Sequence, residues 1–187
     1  MLALVALVAV SAGAAYYAHL TYLPDPLEAS DHDLFRWLVM RDVREEAPEA
    51  QSKLLCRIEI YLDQNQEAFD ASDALAELSE AQHEQFENNC HALLEVWLVE
   101  KSDFYFTLAE EDRAAFLDRQ TKCIQRWASQ GWLGNNTEGQ PQSVMAAAQG
   151  LMKRISPWIE RQDKTRQNRT RQFLSAMALR WMVRSYS

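Results

Sequence analysis

The stretch MLALVALVAVSAGAAYYAHLTYLPDP carries no Asp, Glu, Lys or Arg before Asp25, and this absence constrains the chain more than any other feature. Residues 2–23 in helical form would reach roughly 33 Å, about the hydrocarbon thickness of a bilayer. A core helix of that length in water would need a polar stripe, and Ser11, His19 and Thr21 do not make one. Tyr16, Tyr17 and Tyr22 gather toward the far end, where an aromatic belt meets the headgroups. His19 among them reads as a neutral interfacial side chain. Pro24 and Pro26 then stop the helix. The expectation is a transmembrane anchor over residues 1–23, a linker over 24–30, and a helical domain over 31–187.

A secretion signal is the rival reading, because Ala12-Gly13-Ala14 offers the small residues of a cleavage site. The start lacks Lys and Arg, however, and apolar character resumes through Tyr22-Leu23, which favours a retained span. Arg36, Arg41 and Arg44 follow the span, and the count of basic residues leans toward a cytoplasmic body. Three cysteines without a CxxC pair lean the same way, as buried free thiols.

The remaining chain has the composition of an all-α domain. Gly and Pro number five each, aromatic residues are plentiful, and no alternating β-branched run appears. Ser30 with Asp33 resembles a cap, and Leu34, Phe35, Leu38, Val39 and Val43 form a stripe that predicts a helix to about Ala47. Pro48 opens a second helix carrying Leu54, Leu55, Ile58, Tyr61 and Leu62. A polar stretch over 63–73 surrounds Phe69. Ser79 and Gln82 then read as a capping box ahead of Phe86, Cys90, Leu93, Leu94, Trp97, Leu98, Phe104 and Tyr105. A fourth helix covers Glu110–Ser129, and residues 130–141 form a Gly- and Asn-rich loop. A fifth covers Ser143–Ile155. Ser156-Pro157 reads as cap and first turn of a basic C-terminal helix over 157–187. The domain should therefore be a bundle of five or six amphipathic helices.

Leu78, Glu80, Phe86, Leu94 and Trp97 recur thirty positions later as Leu108, Glu110, Phe116, Ile124 and Trp127. Such an echo is what a repeated helical unit gives, and also what two helices with like packing needs give. The stretches ELSEAQHEQFENN and TLAEEDRAAFLDRQ resemble the Leu-Ser-x-x-Gln helix starts of uncharacterised bacterial single-span helical proteins. They are also similar to those of LTxxQ-type periplasmic chaperones. Ser79 stands where those chaperones carry Thr, and Ala109 departs further. The resemblance spans about residues 60–127 and implies no catalytic residue.

Chemistry-bearing motifs are few. Glu80-x-x-His83 has di-iron spacing, but the position equivalent to His83 in the echoed helix is Arg113, which repels a metal. His83, Glu87 and His91 share a stripe that a solvated polar face explains, and HEQFE lacks the second His of a zinc protease. No nucleophile elbow or phosphate loop is present, and Cys90 and His91 point about 100° apart on a helix. No catalytic, cofactor or metal residue is therefore assigned.

Charge supplies the remaining lead. Net charge is −8, with nine Lys/Arg against two Asp/Glu over residues 153–187. Arg161, Lys164, Arg166, Arg169 and Arg171 precede the apolar Phe173, Leu174, Met177, Trp181 and Met182. Such a helix can touch an anionic surface, or turn its arginines onto the acidic body. Nucleic acid is disfavoured, since no recognition motif accompanies the charge. The sequence thus points to a membrane-tethered, non-enzymatic module that binds or organises a partner, with the bilayer met through residues 1–23 and a protein as a candidate partner. An extracytoplasmic chaperone-like or stress-related protein and a helical enzyme with a dispersed site are the alternatives.

Overall fold

Ser30 begins the first helix as its spacing predicts: its hydroxyl accepts from the Asp33 N–H at 3.1 Å and donates to the Asp33 carboxylate at 2.8 Å. In the computed structural model, which describes residues 22–64, 76–129 and 144–185, α1 runs over Asp31–Met40. It stops seven residues earlier than the apolar stripe suggests. Arg41 is extended, and a 3-10 turn over Val43–Glu45 follows, with Asp42 capping it through Arg44 N–H at 2.9 Å. Val43 still reaches the core. The helix is therefore cut while the burial of its stripe is kept.

Proline at the first position opens α2, Pro48–Gln64, which buries Leu54, Leu55, Ile58 and Tyr61. The long α3, Glu80–Thr107, starts from a complete Ser79–Gln82 capping box. Its 28 residues span about 42 Å. α1, the 3-10 turn, α2, α5 and α6 all pack on it, which makes it the central element. Phe86, Leu93, Leu94, Trp97 and Leu98 are buried, whereas Phe104 is half exposed with its ring 5.4 Å from Phe116.

α4, Glu110–Ser129, packs on α6 and touches α2. The thirty-residue echo has a physical counterpart here. Trp97 and Trp127, its last matched pair, meet with ring centroids 6.1 Å apart. Phe86 packs with its ring tilted against Phe35 of α1, and Phe116 likewise against Phe173 of α6, so each copy meets a different helix.

α5 covers Val144–Arg161 and passes straight through Ser156-Pro157, where the sequence suggested a new start. Pro157 removes the N–H that would reach the Lys153 carbonyl, yet Ile155 and Ile159 hold the segment in the core; the Ser156 hydroxyl beside it donates to the Met152 carbonyl at 2.7 Å. The basic helix α6 is Lys164–Ser185 rather than 157–187. Asp163 caps it, accepting from Thr165 and Arg166 N–H at 3.0 Å each. Gln167 ties the corner by donating to the Glu160 and Gln162 carbonyls.

The cap sets a pH test. The Arg166 N–H foremost, with Thr165, holds the Asp163 carboxyl below its ordinary 3.8. A depressed carboxyl stabilises the fold fully above that value and loses its contribution as pH falls through the lower folded one. Asp163→Asn keeps a capping oxygen without titrating. The variant should therefore lose less helicity than the parent between neutral pH and pH 3, read by circular dichroism.

The described residues are all helix, turn or extended connection, with no strand among them. None of their helices is long and apolar enough to cross a membrane. The expected anchor falls almost wholly on residues 1–21, and the Gly- and Asn-rich loop on 130–141; both lie outside the described residues, as do 65–73 of the polar stretch.

The expected linker is bonded to the body. The Trp37 indole donates to the Pro24 carbonyl at 3.0 Å, and Lys53 pairs with Asp25 at 3.0 Å. Arg57 donates to the Ala29 carbonyl at 3.0 Å and to Asp31 at 2.7 Å. Pro26 and Ala29 are buried.

The three cysteines diverge from the expectation of uniform burial. Cys56 is exposed, Cys123 half-buried and Cys90 buried. Burial, with Glu87 adding to it, pushes the Cys90 thiol far above its usual range, which leaves it protonated and inert. Under native conditions a maleimide should modify Cys56 first and Cys90 only on unfolding, as read by peptide mass mapping.

Candidate functional site

The five basic residues singled out in the sequence are all exposed, but they divide by direction. Arg166 and Arg169 turn onto α3, with guanidinium nitrogens 3.9 and 3.2 Å from Asp103. Arg169 also lies over the Phe106 ring at 5.9 Å. Further along α6, Arg180 grips Asp118 of α4 through two bonds of 2.9 and 3.0 Å. The same side of the helix carries Phe173 and Met177 into the core. At about 100° per residue, Lys164 and Arg171 fall on the opposite side of α6. Neither they nor Arg161, at the end of α5, pair with a carboxylate among the described residues. The basic helix thus spends part of its charge on the acidic body and presents the rest outward.

Beside that corner lies a groove of about 450 Å³. Its walls are the first two turns of α2 (Pro48, Gln51, Ser52) and the middle of α3 (Glu95, Val96, Val99, Glu100), with Arg44 at one end and Trp158, Gln162 and Arg166 at the other. Arg44 binds Glu95 through both carboxylate oxygens, at 2.7 and 3.0 Å. That hydrogen bonding with Glu95 raises the Arg44 guanidinium above its already high value, so it stays protonated at every physiological pH. Ser52 donates to Glu100 at 2.6 Å, and the Gln51 amide donates to the Glu46 carbonyl at 2.9 Å.

The wall is therefore polar, internally neutralised and held in place. No His or Cys lines it, so it offers neither an imidazole nor a thiol. Its shape and chemistry suit a contact surface: an aromatic edge at Trp158, two arginines, two carboxylates and two amides. His83, Glu87 and His91 on α3 are each partly exposed, and no group of three His, Cys, Asp or Glu among the described residues is placed to hold a metal.

The sequence reading missed the groove. Its residues come from five elements, from the 3-10 turn at Arg44 to α6 at Arg166, and each alone looks like a solvated helix position. Arg44 gave the only local hint, standing just ahead of Pro48 in a short turn.

No family model matches this chain, and no curated protein or solved structure proves similar to it.

Proposed function

We propose that this chain is a membrane-tethered, non-enzymatic helical module that binds a protein partner with an acidic surface. The charge-free segment ahead of Tyr22 is the single-pass anchor, with the body on the cytoplasmic side. The contact is the outward strip of Lys164 and Arg171 on α6, with Arg161 at the end of α5. The observation that carries the reading is the outward charge of Lys164 and Arg171, which meet no carboxylate among the described residues while the neighbouring Arg166, Arg169 and Arg180 do. An unpaired basic strip gains most from an anionic partner, because nothing on its own surface already screens it. The charge-free run over 2–23 supports the anchor.

The test uses the full chain in neutral detergent micelles and a fluorescent polyglutamate peptide as probe. Replacing Arg161, Lys164 and Arg171 together by Gln should weaken binding at least tenfold and flatten its dependence on salt. Unchanged binding overturns the contact. Binding to anionic vesicles without binding to the peptide moves it to the lipid surface. Protease digestion of intact against permeabilised cells, with fractionation, tests the anchor and its sidedness.

A further inference from the structure

The way residues 22–31 are held carries a consequence for how a tethered body would be oriented. Pro24 and Pro26 fix two φ angles, and the Asp25 carboxylate accepts from the Leu27 N–H at 3.0 Å while its carbonyl accepts from Glu28 N–H at 2.9 Å. This tight turn is then fastened to two helices: to α1 through Trp37, and to α2 through Lys53 and Arg57. Arg57 is itself largely buried, with 15% of its side chain exposed; its bond to the Ala29 carbonyl is partly buried, while its bond to Asp31 lies at the surface. Leu23, the last residue before the turn, packs against the core.

On α2 the fastened side and the groove side are different. At about 100° per residue, Lys53 and Arg57 stand opposite Pro48, Gln51 and Ser52. The first turns of α2 thus lie between the point where the chain leaves for its N-terminus and the groove wall.

We propose that residues 22–31 are a rigid strap which fixes the exit of the N-terminal segment on the side of α2 away from the groove, so that the tethered body presents its groove in one direction. The proposal rests on the anchor reading for its membrane part, while the strap itself stands on bonds within the body. A flexible linker would let the body turn freely and sample every orientation. A strap removes that freedom before a partner arrives, and with it the entropic cost of ordering the body on binding.

The experiment uses the full chain with Cys56 and Cys123 replaced by Ser. A nitroxide on Glu28→Cys should give an immobilised spectrum in micelles, and Lys53→Gln with Arg57→Gln should free it. In vesicles, distances between labels at Ala18→Cys and Ser175→Cys should form a narrow distribution, at least twofold broader in the same double variant. A Glu28 label as mobile in the parent as in the variant overturns the strap. An equally broad distance distribution in the parent overturns the fixed orientation. Should the double variant unfold, exchange protection of the Trp37 indole N–H in the parent decides instead: protection supports the strap and rapid exchange overturns it. A chain that stays in the supernatant while its Glu28 label is immobile rejects the anchor and leaves the strap standing.

Discussion

Trp97→Ala should lower the unfolding free energy by about 3–5 kcal/mol, the largest loss expected from any single truncation in this chain. Trp97 sits on the central helix with none of its surface exposed. Its ring lies 6.1 Å from Trp127 on α4 and 6.0 Å from Phe173 on α6, so truncation unlinks three helices at once. For a chain of this size the loss corresponds to a fall in Tm on the order of 10 °C. Trp97→Phe separates volume from polarity. The indole N–H has no hydrogen-bond partner among the described residues, so phenylalanine deletes an unpaired donor while keeping most of the ring. A loss below about 1.5 kcal/mol is expected for it. Near-neutral melts for Trp97→Ala would remove this aromatic cluster from the core.

What could be read in the sequence follows from how local its cause is. The caps at Ser30 and Ser79 depend on neighbours two or three residues away, and Pro48 marks a first turn by its own geometry; all three stand where the pattern puts them. The core stripe of α3 is legible for the same reason, since its period is a property of one helix. The end of α1 is not local. The bond partner that cuts it comes from 46 to 51 residues further along the chain. Ser156-Pro157 misleads in the other direction. The pair has the residue types of a helix start, but packing of Ile155 and Ile159 carries the helix through it, and the true cap is Asp163. Of the five basic residues, sequence gave the exposure and not the split between Asp103 and open surface, because Asp103 is more than sixty residues away from Arg169.

Asn89 is that distant partner, and its replacement is the second large effect. The residue is fully buried on α3. Its side-chain oxygen accepts from the Val43 N–H at 2.9 Å and from Gln85 at 3.2 Å, while its amide donates to the Leu38 carbonyl at 2.9 Å and to the Arg41 carbonyl at 2.5 Å. All four bonding positions of the side chain are used, so it serves as a cap for the end of α1 and the entry to the 3-10 turn together. Asn89→Leu keeps the volume and orphans a buried N–H and a buried carbonyl, each costing about 1–3 kcal/mol. A net loss of about 3 kcal/mol in urea unfolding is therefore expected. Asn89→Asp distinguishes hydrogen bonding from shape. The carboxylate can still accept from Val43, but it faces the Leu38 and Arg41 oxygens with no proton to give and takes a buried charge with it. Its folded pKa must then lie above its unfolded one, so the penalty is greatest at neutral pH and shrinks as the solution is acidified through that folded value. A loss relative to the parent that is larger than for leucine at pH 7 and narrows toward pH 4 would identify the two donated bonds as what ends α1 where it ends. A pH-independent difference would assign the break to packing instead.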